Sequence, residues 1–169
     1  GGMIAFNIAR WQMNKQSRSE KDSAAKYIKA LENRVIREIE RNFFVVYKIQ
    51  SIHADRKNGK EDLLWDLLQV YCNELSENAY KSLIYSEFLV RIDYDKLELF
   101  DEAYLIFSKI RNDIEQCRSE VRFLNSGEGC QNDYIKSILH EVWDHSNPKL
   151  LRIANELGVS EDVKKYVGK

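Results

Sequence analysis

Along the first third of the chain the apolar positions fall in steps of three and four: Ala24, Ile28, Leu31, Val35, Ile39, Phe43, Val46 and Ile49. At 3.6 residues per turn this places them on one face of a long amphipathic helix. Arg34, Arg37, Glu38 and Arg41 fall on its polar side. Upstream, Ser17-Arg18-Ser19-Glu20 has capping-box spacing, in which the serine and glutamate side chains each satisfy the other's free amide, so a start near Ser17 is expected. "FFVVYKI" (43–49) is rich in β-branched and aromatic residues and also suits a strand; helix is the reading adopted.

The same stepping continues downstream. "ADRKNGKED" is a polar turn around Asn58-Gly59. Leu63, Leu64, Leu67, Leu68, Tyr71 and Leu75 mark a second helix. A third, capped by Ser76, carries Ala79, Tyr80, Leu83, Ile84, Phe88 and Leu89. A fourth, capped by Asp93 or Asp95, runs from Leu97 through Phe100, Tyr104, Phe107, Ile110, Ile114, Cys117 and Val121 to Leu124, about 42 Å at 1.5 Å per residue. "NSGEGCQND" reads as a linker. "DYIKSILHEVWDHS" forms a fifth helix, Asn147-Pro148 opens a sixth with proline at its first position, and Leu157-Gly158 is a stop.

The fold class that follows is all-α: a bundle of about four main helices with a small C-terminal helical appendage. It divides into an apolar and basic segment (1–16), a bundle core (17–125) and a linker with C-terminal helices packing on the bundle (126–169). Composition agrees, since a single proline and seven glycines interrupt 169 residues, and breakers this sparse favour helix.

Charge changes the picture more than composition does. The net charge is −1, yet residues 1–60 hold thirteen Lys/Arg against six Asp/Glu (+7), and residues 61–125 hold seven against fourteen (−7). Segments this unlike either pack on each other or present the basic one to an acidic surface. Three cysteines, with no C-x-x-C spacing, argue against a zinc ribbon or a dithiol redox site. Cys72 and Cys117 lie among apolar residues and are expected as buried thiols.

Signatures of catalysis are sparse. No G-x-S-x-G turn, phosphate-cradling glycine loop or arginine-x4–6-histidine ribonuclease motif occurs. The carboxylates from Asp93 to Glu102 lack the glycine and alternating ligands of a calcium loop and read as an acidic helix start. In "HEVWDH", His140 and Asp144 share one helix face, and Glu141 and His145 share another about 100° away. A metal-dependent enzyme using these four is one alternative, although no second cluster supplies a third ligand; no cofactor is expected. In the tail, Ile153-Ala154 followed by Leu157-Gly158-Val159-Ser160 resembles the middle of a DNA-binding helix-turn-helix. That resemblance implies duplex contacts from Lys164 and Lys165 within residues 150–167. Glu161 and Asp162 at the start of the reading helix oppose it, and nucleic acid is not the partner expected.

The opening stretch bears most directly on function. Eight of the eleven residues from Met3 to Met13 are apolar, and Ile4, Ile8 and Trp11 share a stripe. One reading docks this helix on a freely soluble bundle. The other makes it the end of a membrane anchor, with Trp11 at the interface and Arg10, Lys15, Arg18 and Lys21 as a basic cytoplasmic flank on an anionic surface. The expected function is a non-catalytic interaction or regulatory module, cytoplasmic or tethered to a membrane's inner face. Its tools are the basic first helix, the acidic middle helices and exposed members of nineteen aromatic residues. A protein partner is expected, and self-association through the first or fourth helix is a further option.

Overall fold

In a computed structural model the residues described are 2–54, 61–123 and 128–167, with side chains described for 10–51, 67–117, 143–164 and for 119, 137 and 140. Among them are six α-helices, one 3-10 turn (Leu89–Arg91) and no strand. The helices are α1 (Gly2–Ala54), α2 (Glu61–Glu74), α3 (Asn78–Ile84), α4 (Tyr94–Phe123), α5 (Glu128–Glu156) and α6 (Glu161–Val167). The all-α expectation holds, and 43–49 is helix. The Asn58-Gly59 turn lies outside the described residues.

α1 organises the rest. Its 53 residues extend about 80 Å, and its inner stripe, Leu31, Val35, Ile39, Phe43, Val46 and Ile49, is almost wholly buried. Burying each such side chain stabilises the fold by roughly 1.5–3 kcal/mol. Against this stripe pack α2, α3, α4 and α6, while α5 lies along α4. Phe43 meets Phe107 of α4 edge-on at 5.8 Å, and Leu150, Ile153, Ala154 and Val159 join the same core. The C-terminal helices are thus part of one hydrophobic interior.

The α2–α3 corner is held from outside. Asn42 of α1, 1% exposed, donates to the Ser76 carbonyl (2.8 Å) and accepts from the Ser76 amide (3.0 Å). One turn earlier, Glu38 accepts from the amides of Ala79 (3.0 Å) and Tyr80 (3.3 Å), the Ser76 hydroxyl (2.6 Å) and the Tyr104 hydroxyl (2.6 Å). α3 therefore receives its N-terminal carboxylate from another helix, which satisfies amides that its own first turn leaves free. Arg111 of α4 donates to the Leu75 carbonyl at the end of α2.

Several local expectations are corrected. Glu38 is on no solvated face; it is 8% exposed because the start of α3 packs over it. Ser76 lies one residue before the N-cap, which is Glu77; its hydroxyl donates to Glu38 (2.6 Å) and accepts a long bond from the Asn78 amide (3.4 Å). α3 stops at Ile84, leaving Phe88 and Leu89 in the turn beyond it. Asp93, not Asp95, caps α4, accepting from the amides of Asp95 (3.0 Å) and Lys96 (3.3 Å). Ser17 starts no helix, since α1 runs unbroken through it.

Pro148 starts none either. α5 continues through it to Glu156, and helix already begins at Glu128, within the stretch read as a linker. An internal proline forfeits one backbone hydrogen bond and crowds the carbonyl four residues back, at roughly 3 kcal/mol. Burial of Leu150, Ile153 and Ala154 just beyond, with a 2.7 Å hydrogen bond from Gln50 to Asn147, outweighs that cost. The Leu157-Gly158 stop is as expected. Gly158 has φ +67°, its amide bonds to Asn155 (3.2 Å) and the Val159 amide to Ala154 (2.9 Å), the pairing of a Schellman cap.

Candidate functional site

The inner stripe of α1 stops at Ile28, but the helix does not. Every one of the fourteen residues 10–23 is exposed, so none of the described residues covers this stretch, the arm of α1. Local bonds support it: Gln16 donates to Glu20 (3.2 Å) and the Ser23 hydroxyl to the Ser19 carbonyl (2.8 Å). Trp11 is 62% exposed, with the Lys15 ammonium 5.1 Å from its ring centroid. Arg10, Lys15, Arg18 and Lys21 bring four cations against Glu20 and Asp22, giving the arm a balance of +2. All the membrane-flank residues expected from the sequence therefore share this one uncovered element.

At the base of the arm sits an aromatic corner. Tyr27 of α1 packs on Phe88 at 5.1 Å, and Arg91 lies over the same ring. Lys96 of α4 reaches Glu32 at 2.8 Å. Around them Tyr85, Val90 and Tyr94 are 75–90% exposed, beside the exposed carboxylates of Glu87, Asp93, Asp95 and Glu98.

The two charged halves do not lock together as rods. Lys48–Glu74 (3.1 Å) crosses from basic α1 to acidic α2, but in Lys96–Glu32 the signs are reversed. Such partly exposed pairs contribute about 0–1 kcal/mol each. Arg34, Arg37 and Arg41 face solvent. The basic helix thus shows most of its charge outward.

Candidates for chemistry do not assemble. His140 and Asp144 pair at 3.0 Å on the exposed surface of α5; His145 is exposed nearby, and the Glu141 side chain lies outside those described. Among the described residues no group of three metal-ligating side chains converges. Burial pushes the Cys72 thiol up to about 11, which keeps it protonated and unreactive; Cys117 is also buried. For Glu38, burial alone would raise the pKa, but the donors from Ala79, Ser76, Tyr104 and Tyr80 hold it below its ordinary 4.5. Tyr104 is shifted up by burial and then by Glu38, so the phenol keeps its proton beside an ionised carboxylate.

The tail has helix-turn-helix spacing, but α6 packs against α1 as well as α5. Lys164 is only 18% exposed and pairs with Glu161 at 2.8 Å. The Lys165 side chain lies outside those described.

No known protein family, curated protein or solved structure matches this chain. Among the described residues no helix is long and apolar enough to cross a membrane. Sequence reasoning found the arm residues but missed the Glu38–Asn42 pair that fixes the α2–α3 corner. Its only trace is two polar side chains four apart beside the apolar stripe.

Proposed function

We propose that this chain is a non-catalytic helical interaction module and that residues 10–23 of α1 are its binding element. The observation that carries the reading is a run of fourteen consecutive exposed helical residues. Most helical stability in proteins comes from packing of one face, and a helix stretch with none is either a spacer or a segment whose cover is another molecule. Its excess of Lys and Arg selects an acidic surface, and Trp11 adds a residue type that anchors interfaces. A cytoplasmic protein held at the inner face of a membrane is the setting that suits such an element.

Photo-crosslinkers placed singly at Trp11 and Lys15 in the full chain in cells, with one at exposed Leu105 of α4 as control, test this. Adducts from the arm positions alone, abolished by Arg18→Glu with Lys21→Glu, are expected. Equal labelling from Leu105, or none from the arm, refutes the reading. An adduct of twice the chain mass identifies the occupant as a second copy.

A further inference from the structure

Resting on the arm as binding element, we propose that its partner is an anionic lipid bilayer, entered end-on by the tip of α1. Backbone helix extends to Gly2, and six of the seven residues from Met3 to Ala9 are apolar. Tip and collar therefore form one continuous helix: apolar residues, then Trp11, then Lys15, Arg18 and Lys21. Nine residues from Met3 to Trp11 reach about 13 Å, less than half of a hydrocarbon core about 30 Å thick. The stretch from Met3 to Trp11 enters the apolar region, with the indole at the interface, where tryptophan is favoured. Arg10, inside the apolar stretch, has a long enough side chain to bring its guanidinium to the headgroups.

The length of the arm fits this partner. Tyr27, where the bundle begins, lies sixteen positions beyond Trp11, about 24 Å of helix. The bundle beyond it carries the acidic residues of α2–α4, which an anionic leaflet repels. At physiological ionic strength that repulsion is screened over about 8 Å, so the arm places the acidic bundle outside its range, whereas Lys15, about 6 Å of helix past Trp11, sits within it and Arg18 and Lys21 approach it through their long side chains. One chain thus carries both charges without conflict. A soluble acidic protein partner would give no reason for the gap or for an apolar tip.

The test is flotation of the full chain with vesicles of phosphatidylcholine, with and without phosphatidylserine. Binding to the anionic vesicles alone, weakened by salt, is expected. Replacing Lys15, Arg18 and Lys21 together by Ala lowers the partition by at least about fivefold, the contribution of one cation near the surface. Ile4→Ser with Phe6→Ser and Ile8→Ser abolishes it even at low salt. With Trp65→Phe and Trp143→Phe as background, Trp11 emission shifts to the blue and is quenched by bromolipid.

No binding, equal binding to neutral vesicles, or binding without the Trp11 shift overturns the proposal. If flotation fails while the arm still forms crosslinks to a protein, the interaction module stands and its membrane partner falls. If both fail, both fall. Circular dichroism on each variant confirms that the bundle remains folded.

Discussion

α1 is two helices in energetic terms, though one in geometry. Residues 31–49 put seven apolar side chains into a core shared with every other element, and polar Glu38 and Asn42 beside them hold the α2–α3 corner. Residues 10–23 continue the same backbone, every one of them exposed and with no described residue packed over them. The first stretch is helical because the fold requires it. The second is helical because it extends a nucleated helix, where each added residue gains a hydrogen bond without a new nucleus. The contrast separates what makes the domain from what the domain holds out, and the two halves should respond to substitution in opposite ways.

The largest effect is expected in the seated half. Phe43→Ala removes a side chain with 0% exposure that meets Phe107, and should lower unfolding free energy by roughly 3–5 kcal/mol in urea titration. A loss below about 1 kcal/mol would mean that the stripe is not the core, and the contrast would fail.

Glu38→Ala should come next, at about 3 kcal/mol, because it strands two backbone amides and two hydroxyls together. This contribution depends on pH in a defined direction. The folded pKa of Glu38 lies below the ordinary 4.5, so the native state favours the ionised form. The stability it supplies is complete above about pH 5 and is lost as pH falls through the lowered value. Between those limits Glu38→Gln should flatten the decline of Tm relative to the parent. A parallel decline in both proteins would remove Glu38 from the acid response.

These residues also mark the limit of what the sequence could tell. Ile39 and Phe43 were legible because burial of a helix face imposes a three-four step that few other structures share. Glu38 was not, because a carboxylate beside the stripe looks like a solvated flank until another helix starts over it. That start is a tertiary fact with no local signature. Ser17–Glu20 and Pro148 failed for the converse reason: each is a valid local start signal overruled by helix already propagating through it. The arm was legible in its residues and charge but not in its exposure, since Ile4, Ile8 and Trp11 offered a docking stripe as readily as a projecting tip.

A smaller effect of opposite sign is expected where a helix tolerates a break because its far side is seated. Pro148 is exposed inside α5, four residues after Asp144. Pro148→Ala restores an amide to that turn, worth up to about 3 kcal/mol, less the gain in unfolded-state freedom, so a net stabilisation of about 1–2 kcal/mol is expected in thermal unfolding. A destabilised variant would show that the proline ring itself is packed and that α5 is not held by Leu150, Ile153 and Ala154.

The smallest effect is the most informative about the arm. Trp11→Ala and the pair Arg18→Glu with Lys21→Glu delete the exposed indole and reverse two of four cations. They remove no contact with the bundle, so each should change unfolding free energy by less than about 0.5 kcal/mol. The pair also sets acidic residues at 18 and 21 beside Glu20 and Asp22, which weakens the local helix; that should appear as faster amide exchange confined to residues 10–23, with exchange at 31–49 still governed by global unfolding. A loss above about 1 kcal/mol from either variant would show that the arm is packed in solution, against its own chain or another. The two halves of α1 would then be one structural unit, and the case for a displayed binding element would go with the difference between them.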